Sequence, residues 1–196
     1  RDTRYHRMVV ADDSASRYLR FDSSFQSGMW LGDPYRTRFQ YTDYLALGIA
    51  HRPGARDVLF IGRGGGSAPK RMWRDFSDLR LQAVELDPAV VDAAYRWFEL
   101  PRDRRLAVDV DDGRRWLTRN EKRWDVIVID AFYADSIPFH LATSEFLQLV
   151  RTRLTAVQFH CIGADPPAEI VALAERPGVA LHGHVPDIDP YMDGCR

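Results

Sequence analysis

The sequence predicts an α/β fold, a parallel sheet covered by helices on both faces. Three observations predict it. From residue 57 onward, apolar runs of strand length alternate with helical patterns, as repeated βα units do. A glycine-rich turn, "GRGGGS", joins the first of these runs to the first helix. The later runs lead into carboxylates, so glycine or acid collects at one sheet edge, outside the C-terminal strand ends where ligands of such sheets bind.

Ahead of that alternation, "MVVA" and "RYLRF" flank the turn-rich "DDSAS" and predict a hairpin, with "FQSGMW" continuing the short strands. "YTDYLALGIAH" predicts one helix, because Tyr41, Tyr44, Leu45 and Ile49 recur at helical spacing. "HRPGARD" breaks it. Then follow the strand "DVLFI" and the helix "SAPKRMWRDF", with Ser67 placed to cap it and Pro69 in its first turn. The strand "LQAVEL" leads to the helix "DPAVVDAAYRWF", whose closing Tyr95, Trp97 and Phe98 read as core. "LAVDV" is a strand, and "GRRWLTR" a short helix with Arg114 and Arg115 on a solvated face. "DVIVID" is a buried strand, and Thr143 or Ser144 opens the helix "TSEFLQLVRTRL". The expected units are an N-terminal β hairpin element over 1–40, a nucleoside-binding domain over 41–155 and a different tail over 156–196.

Composition narrows the function classes. The 196 residues suffice for one domain with a core, or one domain plus a fragment. With 27 basic and 28 acidic residues there is no electrostatic case for nucleic acid or an anionic membrane. No apolar run approaches a bilayer span. The opening "RDTRYHRMVV" lacks the apolar run of a signal peptide, and it starts on Arg1, as a fragment does. Cys161 and Cys195 lack metal-ligand spacing, so a reducing, cytoplasmic setting is the default expectation. His182 and His184 share one face of a predicted strand but have no further ligands near them in sequence, and no metal is expected.

The glycine spacing is Gly62-x-Gly64-x-Gly66, with Gly65 between the last two and Ser67 after them. Such a turn lets a ligand approach the backbone closely. A dinucleotide site would want glycine where Ser67 stands. Glu85, about twenty residues on, suits an acid gripping two ribose hydroxyls. Asp112, with Gly113 beside it, follows the third strand, where an acid can accept a hydrogen bond from an adenine amino group. Together these fit an adenosyl ligand without a pyrophosphate, S-adenosylmethionine or its decarboxylated form. The other reading of the glycines alone is a tight strand–helix turn.

"VLFIGRGGGSAPKRMW…LQAVELDPAVV…VDDGRRWL…WDVIVIDAFYADSIPFHLATSEFLQLVRTRL" resembles the spermidine synthase-like family of polyamine aminopropyltransferases, which has the Rossmann-like class I methyltransferase fold. The likeness covers about residues 1–155. It implies that the glycine loop lines a sulfonium nucleoside, that Glu85 holds the ribose and Asp112 the adenine, and that Asp130 orients and helps deprotonate an attacking amine. Gln26 and Tyr41 would lie near the amine or the cofactor tail. The segment "AFYADSIPFHL" would form a loop over the substrate, stiffened by Pro138. A homodimer is common in the family. Two departures stand out: Gly65 and Tyr133 occupy positions where the family carries aspartates that seat a dicationic amine, with Asp135 a displaced substitute. An altered amine specificity, a methyltransferase and a non-catalytic nucleoside binder all stay open.

After "RTRL" the pattern changes. "IGADPPAEIVALAERPGVALHGHVPDIDPYM" resembles part of the C-terminal nucleotide-sugar domain of family 4 (GT-B) glycosyltransferases, without that family's downstream acidic motif. The run "VQFHCIG" is expected to add a parallel strand beside "DVIVID", with the family's last strands truncated or replaced and a sheet edge left exposed.

Overall fold

The computed structural model describes residues 1–132 and 138–156, and the backbone of Phe159–Ile162 and Val179–His182. The chain opens with an antiparallel sheet of β1 (Met8–Asp12), β2 (Ser16–Phe21) and β3 (Ser24–Trp30). The predicted hairpin forms because Asp13 Oδ1 accepts from the backbone N–H groups of Ala15 (2.8 Å) and Ser16 (2.7 Å), an Asx turn. Leu19, Phe21 and Met29 on its inner face pack against Val90, Ala93 and Phe98 of the helix α4 region (Pro88–Trp97). The N-terminal strands thus share a core with the α/β part.

The predicted single helix divides into α1 (Gln40–Tyr44) and α2 (Leu47–Ala50). Around Leu45 and Ala46 the backbone tightens: Ala46 N–H donates to Asp43 (3.0 Å) and Ile49 N–H to Ala46 (2.9 Å), each three residues back. Gly48 lies where an added Cβ would stand 2.8 Å from Val126, so the segment is pressed onto the strand behind it.

The main sheet holds four parallel strands in the order β6-β5-β4-β7. They are β4 (Asp57–Ile61), β5 (Arg80–Glu85), β6 (Leu106–Val110) and β7 (Val126–Ile129). Helices α3 (Ser67–Asp75), α4, α5 (Gly113–Arg119) and α6 (Ser144–Thr152) connect or follow them. Central β4 is buried on both faces, which is why it reads as an unbroken apolar run. Val58 and Phe60 meet Met72 on one face, while Leu59 and Ile61 meet Leu117, Phe146 and Val150 on the other. The main sheet begins at β4, steps out to β6, and returns to β7 on the other side. The switch point, and the crevice it opens, lies between β4 and β7.

Asp87, Asp112 and Thr143 cap α4, α5 and α6 through their side-chain oxygens, the last as expected. Ser67 does not cap α3. Gly66 occupies that position with φ +84°, and the Ser67 hydroxyl donates to Gly28 O at 3.0 Å. Trp97 is 48% exposed rather than core, with Arg17 over its ring, because α4 ends there and Phe98 turns inward instead. β8 (Phe159–Ile162) does not join β7; it pairs in parallel with β9 (Val179–His182). Among the described residues, β7's outer side meets only the Trp124–Leu154 bridge. The tail residues 163–178 and 183–196, His184 among them, lie outside the described residues. No described helix is long and apolar enough to cross a membrane.

Phe98 carries the contact between the N-terminal sheet and α4. Phe98→Ala is expected to cost about 3–5 kcal/mol, read as a lower urea midpoint.

Candidate active site

The glycine loop leaves β4 under tight constraint. Gly62 has φ +81°, and a Cβ there would run into the Asp130 carbonyl, so the ends of β4 and β7 can meet only through glycine. Gly64 has φ +51° and sits where a Cβ would press on Ser27 Oγ at 2.6 Å. Glu85, the last residue of β5, holds the loop from beneath. Its Oε2 accepts from the N–H groups of Arg63 (3.2 Å) and Gly64 (3.1 Å), and its Oε1 from Asp87 N–H (3.3 Å). Those bonds use about three of a carboxylate's four acceptor positions, which leaves one for a ligand. From above, β3 clips the loop: Ser27 Oγ accepts from Gly65 N–H at 2.8 Å.

One cleft opens at this edge. Of the residues singled out from sequence, Gln26, Tyr41, Gly62, Gly64, Glu85, Asp112, Gly113 and Asp130 all line it. Gly65 and Gly66 do not; Gly65 is turned toward Ser27 and Phe98, and Gly66 toward Leu100. An aspartate at Gly65, where the resemblance would place one, would need Phe98 and Ser27 to give way by a few tenths of an ångström, since a Cβ would stand 3.0 Å from each. Tyr133 and Asp135 lie outside the described residues. Asp87 and Asp111, which follow the second and third strands, line the cleft too, while sequence reasoning missed Tyr5, His6 and Phe21, with His6 stacked on Phe21 at 4.1 Å. It also missed His140, carried by a 3₁₀ turn, Phe139–Leu141. Arg114, read as solvated, anchors that turn: Nη1 donates to His140 O at 2.9 Å and Thr143 Oγ1 at 3.1 Å.

The cleft is acidic. Glu85, Asp87, Asp111, Asp112 and Asp130 face it against the single arginine Arg63, whose buried guanidinium has no hydrogen-bond partner among the described residues. Burial, then the neighbouring Glu85, pushes the Asp130 carboxyl up to about 6. Burial also raises Glu85, opposed by Arg63 and by the three backbone donors. Tyr41 lines the cleft while 39% exposed, and burial, then the neighbouring Asp130, hold its hydroxyl well above the usual phenol range. Arg115 pairs with Asp111 and holds it below the usual carboxylate range. The arrangement can attract a cation, screen it from water, and offer an acid that exchanges a proton near neutrality.

Comparison with known proteins places the fold. The chain is 31% identical over 114 residues to a probable polyamine aminopropyl transferase of Bifidobacterium longum, matching 58% of this chain and 25% of that protein. It is 40% identical over 84 residues to an eEF1A lysine and N-terminal methyltransferase of Danio rerio, matching 40% of this chain and 12% of that one. The chain therefore spans a quarter or less of the length of these two relatives. Among solved structures, a probable spermidine synthase from Corynebacterium glutamicum superposes with a TM-score of 0.72 at 24% identity, over 81% of this chain and 60% of that one. No protein-family profile matches the chain. The fold is the Rossmann-like one shared by spermidine synthases and methyltransferases.

The raised Asp130 pKa has a sign. An acid whose folded pKa exceeds its unfolded value weakens the fold as pH rises through that interval, from about 4 to above 6. Asp130→Asn is expected to stabilise the protein by on the order of 2 kcal/mol at pH 7.5, with the gain vanishing near pH 4 in urea titrations.

Proposed function

We propose that the chain is the nucleoside-binding part of a spermidine synthase-like transferase. It binds a sulfonium nucleoside, decarboxylated S-adenosylmethionine or S-adenosylmethionine, and passes an aminopropyl group to a small amine. The observation that carries the reading is Asp130. A half-buried acid with a pKa of about 6 stands at the end of β7, against the glycine loop, in one cleft with Glu85 and Asp112.

In this reading the nucleoside lies along the loop, with its ribose toward the remaining Glu85 position and its adenine toward Asp112. The amine nitrogen attacks the carbon beside the positively charged sulfur. The C–N bond forms, the C–S bond breaks, and sulfur leaves as a neutral thioether. Asp130 takes the proton the nitrogen sheds. The charge of the cleft suits both cationic partners, and in-line placement supplies much of the rate. A second reading, methyl transfer in the same pocket, is favoured by the likeness to the Danio rerio methyltransferase. A cytoplasmic setting and a homodimer belong to the same proposal. The tail's likeness to a glycosyltransferase fragment stays outside it.

Calorimetry with methylthioadenosine, S-adenosylmethionine and decarboxylated S-adenosylmethionine tests the reading. Micromolar binding, weakened at least tenfold in Asp112→Ala, is the expected result. Product analysis separates the reactions, methylthioadenosine marking aminopropyl transfer and S-adenosylhomocysteine methyl transfer. Absence of binding by the folded protein would overturn both. Turnover should also rise as pH passes 6 and fall at least a hundredfold in Asp130→Asn.

A further inference from the structure

Arg63 stands between two glycines of the loop, Gly62 and Gly64. It is 4% exposed, and none of its guanidinium nitrogens has a hydrogen-bond partner among the described residues. Its backbone stays with the loop, where Arg63 N–H donates to Glu85 Oε2 at 3.2 Å. Its side chain turns behind the loop. Nη1 stands 3.2 Å from where a Cβ on Gly66 would lie, a place that Leu100 also crowds. A guanidinium carries five N–H donors and keeps its charge inside a protein. Such a charge is tolerated in the interior only where an opposite one offsets its desolvation.

Glu85 supplies the opposite charge. Every hydrogen bond it makes among the described residues is accepted, from the N–H groups of Arg63, Gly64 and Asp87. Three donors aimed at one carboxyl suit the ionised form and leave a carboxyl proton badly placed. Burial works against that form, and the first influence opposing burial is Arg63, ahead of the backbone donors. Burial likewise lowers Arg63, and the first influence opposing it is Glu85. With no hydrogen bond between the two side chains, Arg63 acts on Glu85 as a charge and not as a donor.

We infer that Arg63 is a positioning residue of this site: its buried charge keeps Glu85 ionised, and through Glu85 it secures the glycine loop and tunes Asp130 as a proton acceptor. A neutral Glu85 would lose the charge-assisted part of its hold on two loop N–H groups. It would also cease to repel the negative form of Asp130, which would become a weaker base. The consequence for turnover rests on the transferase reading above; the ionisation of the carboxyls does not.

The other ionisable groups at the site are accounted for. From α3 comes Lys70, whose Nζ is spent on Phe98 O at 2.5 Å. From α4 come Asp87, which caps that helix, and Tyr95, with Arg102 over its ring at 4.1 Å. The N-terminal segment brings His6 and α1 brings Tyr41. The β6–α5 corner brings Asp111, paired with Arg115, and Asp112, in contact with His140. Lys70, Arg102 and Arg115 do not line the cleft.

Carboxyl-carbon NMR of chains labelled in the Asp and Glu side chains, followed across the pH range, tests the inference with no ligand present. Glu85→Gln and Asp130→Asn assign the two signals. In the unaltered chain Glu85 should be ionised at pH 7, while Asp130 titrates at about 6. In Arg63→Met, Glu85 should take up its proton about one pH unit or more higher, and Asp130 should titrate about half a pH unit or more lower. Arg63→Gln, also neutral, should move both signals in the same directions. A protonated Glu85 at pH 7 in the unaltered chain overturns the inference, whatever the variants do. So does a pair of titrations left unchanged in either neutral variant. Absence of turnover in the unaltered chain overturns the transferase reading and leaves these titrations as the measure of Arg63.

Discussion

The grip of Glu85 on the glycine loop is the constraint on which the site depends. A buried carboxylate at the end of β5 receives backbone N–H groups from Arg63 and Gly64 on one side and Asp87 on the other. It therefore joins the first two βα corners into one rigid floor. Burying a charge this deeply is costly without such donors, and the donors would be orphaned without the charge. Each makes the other tolerable. The loop's positive φ angles, the approach of β7 at Gly62 and the position of Asp130 follow from that floor.

Charge gives the cleft its second property. Glu85 also acts on Asp130, whose carboxyl burial has already made reluctant to ionise. An acid raised in this way costs the fold something above pH 6, and the same expense makes it a proton acceptor tuned to neutral pH. Stability and reactivity are set against each other at this residue, as is common where a site must hold an unpartnered charge.

Much of this was legible in sequence, and the parts that were not share a cause. Central β4 is an unbroken apolar run because it is covered on both faces, and Gly62, Glu85, Asp112 and Asp130 stand at or just beyond strand ends, so their register comes from local pattern. Tyr5, His6 and Phe21 reach the cleft through the packing of a separate sheet, which no local spacing reports. His140 sits in a turn whose place is set by Arg114, a residue that reads as a solvated helix charge until its partners are known. The helix over residues 41–51 has the right periodicity, yet the pressure of Gly48 on Val126 and the tightened turn before it divide it in two. Ser67 has the chemistry of a cap, but Gly28 claims its hydroxyl and a left-handed Gly66 occupies the cap position. Local rules failed where distant segments met.

The clip between β3 and the loop bears on how the protein is made. Strands β1 to β3 leave the ribosome ahead of α4, carrying Leu19, Phe21 and Met29 without the partners that α4 and Phe98 supply. Ser27 likewise waits for Gly65. The nascent N-terminal sheet therefore has an apolar face exposed until α4 has emerged, and the cleft closes only once residues some seventy positions apart have met. A chain interrupted before α4 would present that face to chaperones or to other chains, so an intact α4 is what turns an aggregation hazard into one wall of the site.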